Sequence, residues 1–150
     1  MGILNDLETT EVIYGAENIV KRTLESYSSY HNKLDGCFDH TGPAAIVTTE
    51  PVFKALNGLI KRGVRLRYIT DITASNISYC KEMIKNGHKL RHIEGVKGNF
   101  GIADEAEYVT HGIQPEGEPV SQVTATNVKS FVESQQYFFD TLWNKAIPAE

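Results

Sequence analysis

Apolar residues recur at steps of three and four in several segments of the chain, which is the periodicity of an amphipathic helix. The pattern predicts helices over residues 10–27, 51–61, 74–86 and 127–144. The second of these has Pro51 at its first helical position and Gly63 just beyond its end. Both residues are favoured there, because proline lacks an N–H that would stay unpaired anyway and glycine adopts the left-handed cap easily.

Alternation of apolar and polar residues predicts the strands. The clearest segment, 64–70, places Val64, Leu66 and Tyr68 on one face and two arginines on the other. Further strands are predicted over 33–39, 88–93, 99–103, 108–113 and 120–125. Because strands and helices alternate through much of the chain, we expect an α/β fold of three layers, with a mixed, mostly parallel sheet between flanking helices.

Composition narrows the class of protein. The 150 residues suffice for one domain, and 41% hydrophobic with 23% charged residues is typical of a soluble globular protein. The net charge of −4 argues against nucleic acid as the main partner, because phosphate binding favours a basic surface. No apolar run is long enough to span a membrane, and the N-terminus does not read as a signal peptide. The two isolated cysteines fit a reducing compartment, so we expect a cytoplasmic protein.

The segment from Lys97 to Asp104 has the spacing of a His-x-Lys-x4-Asp signature, with Lys97 at the first position, Asn99 at the second and Asp104 kept. Together with the Arg-Gly-Val-Arg-Leu-Arg strand before it, this segment resembles one half of a phospholipase D-like fold over about residues 34–113. In that reaction class the histidine is the nucleophile, and a lysine charged at neutral pH is a poor substitute. We therefore expect the fold without the activity, and we assign no catalytic residue and no cofactor.

More specifically, the chain resembles an N-terminal sensory module of archaeal sensor histidine kinases. Residues 131–149 resemble the segment that joins such modules to their signalling parts. The resemblance implies a non-catalytic, cytoplasmic sensory domain of a two-component signal-transduction protein, with a kinase module downstream in the same chain and a homodimeric state. It divides the chain into a flexible N-terminus at 1–9, a sensory domain at 10–126 and a C-terminal helix at 127–150 that packs on the domain and leads to the next module.

Two other functions stay open. The chain also resembles archaeal regulators in which a phospholipase D-like effector domain is joined to a DNA-binding domain. The third interpretation is a residual phosphodiesterase-type enzyme, whose activity would be lost on Lys97→Ala.

Ligands of parallel sheets bind beyond the carboxyl ends of the strands. We expect strand-end residues and the degenerate motif to line a site for a small polar or anionic ligand there. The predicted ligand-binding residues are Asp39, His40, Thr41, Thr70, Asp71, Lys97 and Asn99. Alternatively, the Asp and Thr residues are ordinary turn and cap residues, and Lys97 is a loop lysine. The pair Cys37-x2-His40 is too small for a metal site, and none is expected.

The aromatic residues of the predicted C-terminal helix spread over more than one helical face. One face is expected to pack on the domain. The surplus, assigned to Tyr137, Phe138 and Trp143, is predicted to contact a second subunit or the next module.

Overall fold

The computed structural model describes residues 7–113 and 118–149, and within them eight strands form a single sheet. The strands are β1 (Thr10–Tyr14), β2 (Lys33–Cys37), β3 (Arg65–Thr70), β4 (Lys89–His92), β5 (Phe100–Ala103), β6 (Glu107–Thr110), β7 (Gln122–Thr126) and β8 (Ile147–Pro148). The helices are α1 (Ala16–Tyr27), α2 (Gly42–Thr48), α3 (Glu50–Lys61), α4 (Ile77–Lys85) and α5 (Lys129–Lys145). The strand order across the sheet is β1-β7-β6-β5-β2-β3-β4-β8.

Helices cover both faces of the sheet, so the predicted three-layer α/β fold is confirmed. On one face, strand residues such as Leu66 and Tyr68 pack with apolar side chains of α1 to α4. On the other face, Ile69 and Ile102 pack with Phe139 of α5. The strict alternation along β3 explains both cores, because successive side chains point to opposite faces.

The sheet is mixed, as predicted, but it is not mostly parallel. Two strand pairs are parallel, β2 with β3 and β3 with β4. The other five pairs among the described residues are antiparallel. The reason is that β5, β6 and β7 follow one another without a crossover helix, and a parallel pair requires such a connection.

The first strand was not expected, because residues 10–27 carry a helical period of apolar residues. Residues 10–14 instead pair with β7, where the hydroxyl groups of Thr10 and Thr126 lie 2.8 Å apart. Gly15 adopts a positive φ of 88° and separates this strand from α1. The β-branched residues of the segment favour the strand over the helix.

The predicted flexible N-terminus covers residues 1–9, of which 1–6 lie outside the described residues. Thr9 is held in place by Asn127, whose side-chain oxygen accepts a 2.6 Å hydrogen bond from its backbone N–H. The C-terminal segment also returns to the fold, because Pro148 of β8 pairs with Arg91 of β4. The glycine and proline residues of 114–119 indicate a loop, and positions 114–117 of this segment lie outside the described residues. No helix in the described part of the chain is long and apolar enough to cross a membrane.

Candidate functional site

A cavity of about 890 Å³ lies between the sheet and the helices α1, α2 and α3. Its floor includes Gly36, Gly101, Val109 and Ala125, which are partners in register on four neighbouring strands. The ring of Tyr68 covers Gly36, where a Cβ atom would meet Tyr68 Cδ1 at 2.7 Å. Gly101 has no side chain and Ala125 has only a methyl group, so the open part of the floor is a channel over Gly101, Val109 and Ala125. A Cβ atom at Gly101 would meet its nearest neighbour, a Leu34 methyl group, at 3.7 Å, which is an ordinary contact distance, so a Cβ atom fits there without a clash.

The walls of the cavity are largely apolar. Its aliphatic and aromatic lining residues include Ile13, Ile19, Val20, Tyr27, Tyr30, Phe38, Ala44, Ala45, Ile46, Val52, Tyr68 and Val123. A cavity of this size with an apolar wall and a few polar groups is typical of small-molecule binding sites.

Asp39 and Asn99 form the polar end of the cavity. The backbone N–H of Asp39 donates to Asn99 Oδ1, and Asn99 Nδ2 donates to Asp39 Oδ2, both at 3.1 Å. Thr41 adds two further hydrogen bonds to Asp39 Oδ1, from its backbone N–H at 2.9 Å and its hydroxyl at 2.6 Å. Burial opposes ionisation of Asp39, but these hydrogen bonds outweigh it and hold the pKa of the carboxyl below its ordinary value. Asp39 is therefore an anion at neutral pH.

The other predicted site residues at the strand ends divide into lining and supporting positions. His40 is exposed and lines the cavity. Thr70 is fully buried outside the lining, and its hydroxyl donates to the carbonyl oxygen of Asp39 at 3.1 Å. Asp71 also lies outside the lining, and its carboxylate accepts a hydrogen bond from the Gly95 backbone at 3.0 Å. Thr70 and Asp71 thus stabilise the loops that contain Asp39 and Gly95, whereas His40 faces the cavity.

The three positions of the degenerate motif are separated in the structure. Asn99 is buried in the cavity, whereas Lys97 is exposed and does not line it. Asp104 lies at the opposite end of β5, where its carboxylate accepts backbone hydrogen bonds from residues 31–33 at 2.8 to 3.0 Å. The motif aspartate therefore has a structural role in this chain.

His111 is a site residue that sequence reasoning missed. Its backbone N–H donates to the Asn99 carbonyl oxygen at 3.0 Å, and it lines the cavity beside Asn99. The strands predicted over 99–103 and 108–113 contained the signal, because a short connection favours an antiparallel pair, and the observed register places the two residues opposite each other.

Cys37 contributes no reactive thiol to the site. Its side chain is fully buried, and burial raises the pKa of the thiol to about 12. The thiol therefore stays protonated and is a poor nucleophile. Among the described residues, no group of three His, Cys, Asp or Glu side chains is arranged to hold a metal ion.

On the opposite face of the sheet, α5 is held by a charged network. Asp35 is fully buried and binds both Arg67 and Gln136, whose Nε2 donates to Asp35 Oδ2 at 2.9 Å. The guanidinium of Arg91 lies 4.1 Å from the ring centroid of Trp143 and donates to its carbonyl oxygen at 2.7 Å.

The structure changes one assignment for the predicted interface. Tyr137 and Phe138 are 67% and 54% exposed, and their rings contact each other edge to face. Trp143 is only 9% exposed and stacks on Phe139 within the core. The assignment of Trp143 to an interface is therefore corrected. Its position in the helical period places it on the inner face of α5.

Comparison with known proteins yields structural neighbours only. No family model and no curated protein matches the chain. Nuc from Salmonella typhimurium, described as a phospholipase D family member, superimposes with a TM-score of 0.78 at 16% identity, covering 96% of this chain and 99% of Nuc. NucT from Helicobacter pylori superimposes with a TM-score of 0.77 at 9% identity, covering 95% and 100%.

A third neighbour is TrmBL2, described as an archaeal chromatin protein with a novel mode of DNA binding. The TM-score is 0.65 at 18% identity, and the match covers 96% of this chain and 55% of TrmBL2. Identities this low establish the fold and leave the function open. The chain has a phospholipase D-like fold.

Proposed function

We propose that this chain is a non-catalytic sensory domain of a signal-transduction protein, in which the cavity binds a small molecule and α5 passes the signal onward. The observation that carries the proposal is the state of the degenerate motif. Its second position, Asn99, is tied to Asp39 inside an apolar cavity, while Lys97 at the nucleophile position is exposed outside it. A space suited to binding is kept, and the motif side chain that would attack is not directed into it.

A physical route from the cavity to α5 supports a signalling role. Gly36 and Asp35 are adjacent in β2, so these two positions lie on opposite faces of the sheet. Gly36 lies in the cavity floor, and Asp35 binds Gln136 of α5. A ligand that shifts β2 would therefore alter how α5 is held, and a differential affinity of roughly 1–3 kcal/mol would suffice for a graded response.

The parent protein we propose is a sensor histidine kinase, with its kinase module in the same chain and a dimeric state. The second candidate is the effector domain of a transcription regulator, which the likeness to TrmBL2 over 96% of this chain favours. Both candidates use the domain in the same way and differ in the attached module. The coding sequence beyond Glu150 separates them, since a kinase core and a DNA-binding module have different signatures.

The test is a thermal-shift screen of the chain against phosphate esters, nucleotides, sugars, alkyl amines and metal ions. A compound at about 100 times its dissociation constant adds about 2.7 kcal/mol of stability, which raises Tm by several degrees. Gly101→Val is the variant designed to block the cavity. Valine suits a strand, and its methyl groups would occupy the floor of the cavity. A shift in the wild-type chain that is lost in Gly101→Val supports the proposal.

Two outcomes would contradict the proposal. The first is the absence of any stabilising compound, or a shift that Gly101→Val retains. The second is hydrolysis of bis(p-nitrophenyl) phosphate that is lost on Lys97→Ala or His111→Ala, which would favour the residual enzyme. Hydrogen exchange of α5 with and without the stabilising compound then tests the signalling route.

A further inference from the structure

The charges that line the cavity are mainly negative. Among the described lining residues, the only Lys or Arg is Arg22. Its guanidinium is already paired, with Nη2 lying 2.8 Å from a Glu11 oxygen and 3.1 Å from a Glu107 oxygen. The carboxylates in the lining are those of Asp39 and the exposed Glu118.

Asp39 retains capacity for one more donor. A carboxylate offers about four acceptor positions, two on each oxygen. Oδ1 accepts both hydrogen bonds from Thr41, and Oδ2 accepts one from Asn99 Nδ2. One position on Oδ2 stays open on a carboxylate that lines the cavity.

We propose that the ligand is a small molecule with a cationic, amine-type head and an apolar body. The head would bind Asp39, and the body would lie along the channel formed by Gly101, Val109 and Ala125. This row spans two inter-strand spacings, or roughly 10 Å, enough for an extended alkyl chain of moderate length or an aryl group. The inference rests on the proposed function and refines it, because it replaces the anionic ligand that Lys97 had suggested.

The repulsion of an anion supports the same choice. A phosphate or carboxylate head placed beside Asp39 would face a like charge at short range, in a cavity that offers no unpaired Lys or Arg among the described lining residues. A neutral head would bind without this penalty but would gain no charge-assisted hydrogen bond. The affinity is therefore expected to be highest for the amine, lower for the alcohol and lowest for the carboxylate.

The experiment titrates the chain at neutral pH with octylamine, octanol and octanoate, which share one apolar body. We expect octylamine to bind at least about tenfold more tightly than octanoate, with octanol between them. Asp39→Asn should lower the affinity for octylamine to that for octanol. The exchange variant Asp39→Asn/Asn99→Asp keeps one carboxylate and one amide in the pair, so it should restore the preference for the amine.

Equal affinities of the three compounds for the wild-type chain, or tighter binding of octanoate, would overturn the inference. So would a preference for octylamine that Asp39→Asn retains. The proposed function would stand in each case, provided that Gly101→Val abolishes the binding. If none of the three binds but another compound of the screen does, the inference alone fails. If Asp39→Asn does not fold, the affinities of the wild-type chain for the three compounds and the behaviour of the exchange variant still test the inference.

Discussion

Asp35 and Arg67 are direct partners in register on the parallel strands β2 and β3, and their side chains form a bidentate ion pair. Arg67 donates from Nε to Asp35 Oδ1 at 2.8 Å and from Nη2 to Asp35 Oδ2 at 2.9 Å. The carboxylate is fully buried, and Gln136 of α5 donates to it from above. The pair therefore joins the sheet to the C-terminal helix at the point where β2 also forms the cavity floor.

Removing one member of this pair should be costly. Arg67→Leu leaves Asp35 as a buried anion with only Gln136 and the more distant Lys33 to compensate it. We expect the free energy of unfolding to fall by about 3 kcal/mol or more, as measured by urea denaturation.

The double variant Asp35→Leu/Arg67→Leu is the control, because it removes both charges and leaves apolar side chains of moderate size. It should be clearly more stable than Arg67→Leu alone, since the cost of a broken buried pair lies in the charge that remains. If Arg67→Leu costs no more than a surface substitution, the pair does not stabilise the fold as argued.

The motif aspartate gives a second prediction. Asp104 accepts three backbone hydrogen bonds, and these outweigh the effect of burial and keep the pKa of its carboxyl below the ordinary value. Asp104→Ala leaves these N–H groups without their acceptor, so we expect a loss of about 1–3 kcal/mol in unfolding free energy. Lys97→Ala is the matched control and should change stability by less than about 0.5 kcal/mol, because Lys97 is exposed.

Binding separates a structural role for Asp104 from a functional one. For a compound found in the thermal-shift screen, both variants should retain the affinity of the wild-type chain, because neither residue lines the cavity. Loss of affinity in Lys97→Ala would restore the interpretation in which the degenerate motif binds the ligand directly.

Much of the fold was predictable because its signals are local. The alternation in 64–70 identified both faces of β3, and Pro51 with Gly63 bracketed α3 closely. The strand β1 was missed because its residues also satisfy a helical period, and its pairing with β7 joins residues more than 100 positions apart. The two-residue β8 is too short to leave a periodic signal.

Site residues were predictable only where the direction of a strand determines which end of the sheet they reach. Asp39 and Asn99 were placed at a strand end, and the structure brings them together. Lys97 is only two residues from Asn99 but lies in the loop before β5, where a sequence period cannot say which way a side chain points. The cavity floor was not predicted, because it depends on the register of four strands.

A third prediction concerns pH. His88 is stacked between Phe53 and Tyr68, and its Nε2 lies 2.8 Å from Asn57 Oδ1. Burial lowers the pKa of His88 to about 4 from an ordinary value of 6.5. The unfolded chain therefore binds the proton more readily, so the stability present above pH 6.5 is lost as the pH falls toward 4. The full difference corresponds to about 3 kcal/mol.

The measurement is the free energy of unfolding between pH 7 and pH 4. His88→Phe keeps an aromatic ring in the stack and removes the titrating group, so its stability should change much less over this range. A further loss at lower pH should persist in both proteins, because the pKa values of Asp39 and Asp104 lie below their ordinary range in the folded state. Parallel pH profiles for the two proteins would show that His88 titrates normally.

The last prediction separates the outer and inner aromatic residues of α5. Trp143 packs between Phe139 and the guanidinium of Arg91, so Trp143→Ala should cost about 3–5 kcal/mol of unfolding free energy. The double variant Tyr137→Ser/Phe138→Ser removes two exposed side chains and should change stability by less than about 1 kcal/mol.

The outer residues are expected to act in self-association instead. If the proposed dimer forms through α5, the double variant Tyr137→Ser/Phe138→Ser should shift the chain from dimer to monomer in sedimentation velocity, because two adjacent exposed aromatic rings are typical of an interface core. Tyr14→Ser is the matched control, since Tyr14 is 63% exposed on the edge strand β1 and far from α5 in sequence. Separation of the subunits by Tyr14→Ser alone would place the interface at the sheet edge, where unpaired backbone groups can join two copies.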